Sequence, residues 1–227
     1  LYEAEFGDNL GLSERIVMET KKASSMLATM AAMQEEHNIQ VHQNWREEGY
    51  EYYRAIWVEC AEMLDHFGWK WWKKQSPDMD QVKLELVDIW HFALSELIRS
   101  KSLEEGLAVR LANIRAAEPD PELFRRAIES LAASSLNSRS FEMDCFVDAM
   151  RSLPMELDEL FELYIGKNIL NRFRQNHGYK EGTYRKEWSG REDNEHLIEA
   201  LNTLQVEPDQ VPDVLYQELE RRYAAAS

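Results

Sequence analysis

The sequence predicts an all-α protein, a multi-helix bundle with a helical insertion or lobe in its middle. Breakers are scarce, with 9 glycines and 6 prolines among 227 residues, while Ala, Leu, Glu and Met are abundant. Such a chain has little to interrupt helices and much to favour them. Apolar residues recur three or four apart over long stretches, the spacing that lines one face of a helix, and capping residues stand at several of their ends.

A first amphipathic helix is expected from Ser13 to about Asn38, with Ser13 as its cap and Leu27, Met30 and Met33 at helical spacing. A looser polar and aromatic stretch through Asn44, Trp45 and Gly49 leads to a second helix from about Tyr52 to Phe67, whose Tyr53, Ile56, Cys60, Leu64 and Phe67 form its apolar stripe. Gly68 and the run Trp69, Trp71, Trp72 then break the pattern. Ser76, Pro77, Asp78 and Asp80 read as a cap, a first-turn proline and acids at the positive end of a third helix, which continues to about Ile98. Ser102 and Glu105 form a capping-box pattern for a fourth helix, Asp120 and Pro121 open a fifth, and Ser140 opens a sixth. Pro154 starts a seventh that runs to about Asn176, with Gly178 just beyond. Amphipathic segments near Asn194 to Leu204 and Pro212 to Tyr223 complete the chain.

Composition narrows the function. Formal net charge is −16, from 42 acidic and 26 basic residues. A surface that acidic repels a phosphate backbone, so no nucleic-acid partner is expected. Two cysteines, Cys60 and Cys145, suggest no disulfide framework and a reducing compartment. No apolar run reaches the roughly 18 residues needed to span a bilayer, and the mixed, acidic start does not read as a secretory signal. A soluble, cytoplasmic protein with no membrane association is expected.

Two acidic pairs stand out. VECAEMLDHF (58–67) places Glu59 and Glu62 three apart, and KLELVDIWHF (83–92) does the same with Glu85 and Asp88. Residues three apart lie about 60° from each other around a helix axis and face the same way. One such pair is ordinarily a solvated helix face. Two pairs on apolar helices repel unless a cation compensates, and a hard divalent ion prefers oxygen ligands. The four carboxylates therefore form a candidate magnesium cage, with Ala61 small enough to let the helices approach. A di-iron bundle would want two Glu-x-x-His motifs, and the chain offers only Asp88-x-x-His91. Zinc would want a Cys or His cluster that is absent from the sequence.

The segment YIGKNILNRFRQNHGYKEGTYRKEW (164–188) is locally basic within this acidic chain. Lys167, Asn171 and Arg174 are spaced four and then three apart, which puts them on one helix face, and Tyr179, Lys180, Tyr184, Arg185 and Lys186 follow in a glycine-punctuated loop. A plain reading is favourable charge at a helix C-terminus. Lys and Arg beside amides also suit a short polyphosphate. Acids on one side of a phosphate chain and cations on the other are what phosphoryl-transfer chemistry needs.

These stretches resemble the dimeric all-α dUTPases of the all-α NTP pyrophosphohydrolase superfamily. The likeness runs through ECAEMLDHFGWKWWK (59–73), ELVDIWHF (85–92), YIGKNILNRFRQNHGYKEGTY (164–184) and WSGREDNEHL (188–197), and more weakly through MQEEHN (33–38). The resemblance implies a fold of that type, magnesium-dependent hydrolysis of dUTP, and of dUDP, to dUMP, and a homodimer. It implies Glu59, Glu62, Glu85 and Asp88 as magnesium ligands, with Glu59 or Glu62 taking the proton of the attacking water. It assigns phosphate binding to Lys167, Asn171, Arg174, Tyr179 and Lys180, with Lys186 beside them. Gln34 and Asn38 fall where the family holds uracil, with Trp69 or Trp72 lining that pocket; His37 departs from the family pattern. The implied organisation is an N-terminal part of the catalytic core in 1–99, an insertion or mobile lobe in 100–153, and a C-terminal part with the phosphate-binding helix and loop in 154–227. Two other readings stay open from the residues themselves: a related pyrophosphohydrolase acting on another base, such as dCTP, and a non-catalytic helical interaction protein.

Overall fold

The computed structural model describes residues 2–207 and 210–226, without the side chains of residues 2–10, 12, 13 and 105. Among the described residues the chain forms nine helices and one short hairpin: α1 (Tyr2–Val41), α2 (Tyr52–Phe67), α3 (Met79–Ser100), α4 (Glu105–Ala112), α5 (Pro121–Ser138), α6 (Met143–Ser152), α7 (Leu157–Asn176), β1 (Glu187–Trp188), β2 (Arg191–Glu192), α8 (Asp193–Thr203) and α9 (Val211–Ala225).

The centre is α3. Val82, Leu84, Leu86, Val87, Ile89, Trp90, Ala93 and Leu94 are buried on all sides of it, the pattern of a helix surrounded by others rather than laid on a surface. On one side packs α2 through Tyr52, Ile56, Cys60, Met63 and Phe67. This stripe is rotated slightly from the expected one, with Tyr53 and Leu64 only half buried. Ala61 is exposed and makes no part of the helix contact expected of it. Across α3 from these, α1 contributes Ala23, Leu27 and Met30, and the same buried line turns polar at Gln34 and Asn38. That change of chemistry along one stripe positions the site.

The helices within 100–153 join the core of α2, α3 and α7. Leu107, Leu111, Phe124, Ile128 and Phe146 belong to one apolar cluster with Ile56, Trp90 and Leu160. Phe124 meets Phe67 at a centroid distance of 4.3 Å, and Phe146 stacks on Trp90 at 5.0 Å. A second cluster gathers Leu84, Ile169, Leu170, Phe173, Trp188, Leu197 and Leu215, and ties α8 and α9 to α7.

Several starts move from the positions the sequence suggested. Helix α1 runs through the backbone of Ser13, which therefore does not cap it; the Ser13 side chain lies outside those described. Asp78, not Ser76, caps α3, its carboxylate accepting from the Gln81 N–H at 3.2 Å. Glu104 and Glu142 stand at the N-caps of α4 and α6 in place of Ser102 and Ser140, and Glu156 precedes α7 two residues after Pro154. Asp120 does cap α5, with Pro121 in its first turn. A capping box forms where none was read, between Glu192 and Glu195 at the start of α8. The hairpin was also unforeseen: two-residue strands carry no alternation to detect. Its turn places Ser189 and Gly190 at φ 51° and 79°, the two left-handed residues of a tight hairpin turn whose twist suits antiparallel strands.

Candidate active site

The carboxylates of Glu59 on α2 and of Glu85 and Asp88 on α3 converge, with one oxygen of each inside a sphere of mutual distances below 4.8 Å. Glu85 is 4 % exposed. Glu62 stays outside the trio and faces solvent, although its charge still reaches Glu59. Burial first, then Asp88, Glu85 and Glu62, push the Glu59 carboxyl up to about 9. Burial also raises Glu85, against the opposing pull of Lys167. His66 Nε2 lies 3.4 Å from Glu85 Oε1.

An all-oxygen cluster that resists its own ionisation fits a hard divalent cation, because the cation supplies the charge that the protons otherwise must. Metal and protons then compete. Glu59 titrates higher in the folded state than a free carboxyl, so the metal-free fold loses stability as pH rises from the ordinary carboxylate range through about 9. The stabilisation given by a divalent cation held there is therefore expected to grow between pH 6 and pH 9, by a few degrees of melting temperature in calorimetry. A shift by the cation that is independent of pH would contradict this.

Beside the trio opens a cavity of about 470 Å³ lined by Gln34, His37, Asn38, Trp45, Tyr52, Glu59, Asp88, His91, Phe92, Ser95, Asn171, Arg174 and Tyr179. Its polar end is a closed network. The Tyr164 hydroxyl donates to Gln34 Oε1 at 2.8 Å, Gln34 Nε2 donates to Asn38 Oδ1 and Ser95 Oγ at 3.0 Å, and Asn38 Nδ2 donates to Ser95 Oγ at 2.9 Å. Both N–H bonds of Gln34 are thereby spent. His91 Nδ1–H donates to the Val87 carbonyl at 2.8 Å, which fixes its tautomer and leaves Nε2 as an acceptor; burial pushes its pKa down to about 4 and keeps it neutral. Three buried polar atoms of the cavity residues, His37 Nδ1, Trp45 Nε1 and His91 Nε2, have no hydrogen-bond partner among the described residues. Buried polar groups are nearly always paired, and these three belong to residues that line one cavity.

The expected site residues thus divide. Glu59, Glu85, Asp88, Gln34, Asn38, Asn171, Arg174 and Tyr179 come together. Lys167 does not line the cavity: it is 1 % exposed, and its ammonium is spent on Asp88 Oδ2 and Asn194 Oδ1, both at 2.8 Å. Lys180 donates to the Val41 carbonyl at 2.8 Å, and Lys186 pairs with Glu192 at 3.2 Å. Trp69 and Trp72 are displaced further. Gly68, at φ 90°, turns the chain away after α2, and the two indoles pack edge to face at 5.2 Å, 48 % and 57 % exposed. Trp69 lines a separate groove with Pro121 and Arg125 of α5. The aromatic residues that line the cavity are instead Trp45, Tyr50, Tyr52, Phe92 and Tyr179. Trp45, His91 and Ser95 also line the cavity; the sequence marks His91 only through the Asp88-x-x-His91 spacing, and a histidine and a serine inside the apolar run of α3 are a legible signal.

A helical bundle that sets a carboxylate trio beside a cavity with an arginine at its wall suits a helical hydrolase acting on an anionic substrate. The family model for dUTPase matches residues 26–179, and the chain belongs to the dUTPase family. Its activity is that of a dUTP diphosphatase, a hydrolase whose substrate is the nucleotide dUTP. A search of curated proteins returns no match.

Proposed function

We propose that the chain carries out this hydrolysis of dUTP, and also that of dUDP, with magnesium held by Glu59, Glu85 and Asp88 and with Glu62 at the edge of that set. The observation that carries this is the convergence of Glu59, Glu85 and Asp88 at the rim of the cavity that Arg174 also lines. Magnesium, when bound there, neutralises phosphate charge and acidifies a water. Glu62, exposed and outside the trio, is the carboxylate free to accept the proton of that water, with Glu59 as the neighbour that shares the work. The water oxygen bonds to the β-phosphorus, the bond from that phosphorus to the α-phosphate oxygen breaks, and dUMP leaves with pyrophosphate from dUTP or with orthophosphate from dUDP. Arg174, Asn171 and Tyr179 hold the phosphates; Lys180 and Lys186 lie in the loop behind them. Lys167 keeps Asp88 in place.

The base enters between Trp45 and Phe92, toward Gln34 and Asn38. Uracil presents an acceptor, a donor and an acceptor along its edge. Trp45 Nε1–H and the second N–H of Asn38 offer donors, and His91 Nε2 offers an acceptor for uracil N3–H. Cytosine lacks that proton and would oppose lone pair to lone pair. Replacing His91 by leucine is expected to lower kcat/KM for dUTP by about 10- to 100-fold and to narrow the preference for dUTP over dCTP, measured in direct competition; an unchanged preference would remove His91 from base recognition.

The acidic surface keeps polymeric nucleic acid away. No helix among the described residues is long and apolar enough to cross a membrane. A homodimer is supported by Trp57 and Val58, exposed on α2, since exposed apolar surface favours association; the cytoplasmic location rests on the composition alone. Residues 100–153 are read as an insertion between the two halves of the catalytic core.

The test is anion-exchange analysis of products from dUTP, dTTP, dCTP and UTP, with magnesium and with EDTA. Conversion of dUTP alone to dUMP and pyrophosphate, abolished by EDTA, is expected. Turnover of dCTP or dTTP at a comparable rate would sink the base assignment, and turnover in EDTA would sink the carboxylate trio.

A further inference from the structure

Arg174 does not stand free at the cavity. Its Nε and Nη2 donate to Asp193 Oδ2 and Oδ1 at 2.8 and 2.7 Å, a two-pronged pair. Nη2 also donates to Asn194 Oδ1 at 3.2 Å, and Nη1 to Asn171 Oδ1 at 3.1 Å. A guanidinium carries five N–H donors; its side-on fork is committed to Asp193, and only the Nη1 side keeps capacity for a ligand. Asp193 is 0 % exposed. The Tyr184 hydroxyl donates to Asp193 Oδ2 at 2.8 Å, and the Tyr184 ring stacks on Tyr223 at 5.5 Å with planes 9° apart. Asp193 is also the first residue of α8, where the helix dipole favours a negative charge. Burial alone would push its carboxyl up; hydrogen bonds from Arg174 and Tyr184 hold it below the usual range.

A fully buried carboxylate is costly, and an apolar contact would join α8 to α7 as well or better. Leu197 and Ala200 already do so. What the ion pair adds is direction: it allows the guanidinium one orientation. We propose that Asp193 is a positioning residue for the triphosphate, holding Arg174 in a single pose at the cavity wall before the nucleotide arrives. Catalytic donors are worth most when they need no rearrangement at the moment of reaction. Asn194 extends the same scaffold, since its Oδ1 also accepts from Lys167 Nζ at 2.8 Å and so links Arg174 to the lysine that holds Asp88. Asp193 and Asn194 lie beyond the residues that the family model matches, 26–179, and within the WSGREDNEHL stretch that resembles the family, so on this proposal the hairpin and α8 are part of the working site. The inference rests on the reading of Arg174 as a phosphate ligand.

A kinetic double-mutant cycle separates positioning from stapling. The variants are Asp193→Asn, Arg174→Ala and the double, with deoxyuridine as a competitive inhibitor that lacks phosphate. Asp193→Asn is expected to lower kcat/KM for dUTP by about 30- to 100-fold, to leave deoxyuridine inhibition within about twofold, and to add less than about twofold in the Arg174→Ala background. Should Asp193→Asn fail to fold, Tyr184→Phe removes one hydrogen bond to Asp193 and keeps the ring stack; a smaller loss, also absent without Arg174, is expected. Additive losses across the cycle, or a parallel loss of deoxyuridine binding, would reduce Asp193 to a structural staple and overturn the proposal. Wild-type activity in Asp193→Asn beside a crippled Arg174→Ala overturns it while the phosphate reading stands; wild-type activity in Arg174→Ala overturns both.

Discussion

Glu59→Gln removes turnover, by roughly a thousandfold or more, and leaves the metal-free protein as stable as before or more stable. Both halves follow from one feature. Glu59 sits with Glu85 and Asp88 in a cluster whose burial and mutual repulsion push its carboxyl up to about 9, so near neutral pH and without metal it is already a neutral acid. Glutamine copies that form in shape and charge, and nothing is lost from the metal-free fold. The ionised form matters only when a divalent cation is held, and a neutral amide is a poor substitute ligand. Losing the positive charge that offsets phosphate in the transition state costs several kcal/mol, and about 4 kcal/mol corresponds to a thousandfold in rate. Pyrophosphate release with magnesium, together with calorimetry with and without it, checks both halves. Near-normal turnover, or a melting temperature several degrees lower without metal, would overturn the assignment.

Lys167→Met has the opposite profile. The ammonium is buried and bonded to Asp88 and Asn194 at 2.8 Å each. Methionine fills much of the space but leaves the Asp88 carboxylate facing Glu85 and Glu59 without its cation. Breaking a buried pair by removing one partner costs about 3–5 kcal/mol, which for a chain of this length lowers the melting temperature by roughly 6–20 °C. Saturating magnesium is expected to recover part of that loss, because it supplies Asp88 with another positive partner. Thermal unfolding with and without magnesium measures it. A loss unaffected by magnesium would mean that Lys167 serves packing rather than Asp88.

Arg174 and Asp193 show how far the sequence could be read. Arg174 was legible through its spacing from Lys167 and Asn171 on one helix. Its partner Asp193, 19 residues on, had no local mark of burial in a chain with 42 acidic residues. Glu62 carried the same i, i+3 signal as Asp88, yet it faces solvent while Asp88 joins the trio. Three residues along a helix turn a side chain by about 60°, enough for one member of a pair to clear the contact between α2 and α3.

By itself the sequence determined the helices of the core, the two acidic pairs and the basic face of α7, because periodicity fixes which residues share a face of their own helix; Gln34 and Asn38 entered only through the resemblance to the family. It also determined the family, through motifs held in order along the chain. The tertiary structure alone decided that three of the four acids converge, that Lys167 is turned from the cavity toward Asp88, that Trp45 and Phe92 rather than Trp69 and Trp72 line the cavity, and that Asp193 clamps Arg174. Those outcomes depend on how each helix is rotated against its neighbours and where each loop leaves its helix. Both are set by packing among side chains distant in the chain, about which local spacing carries no information.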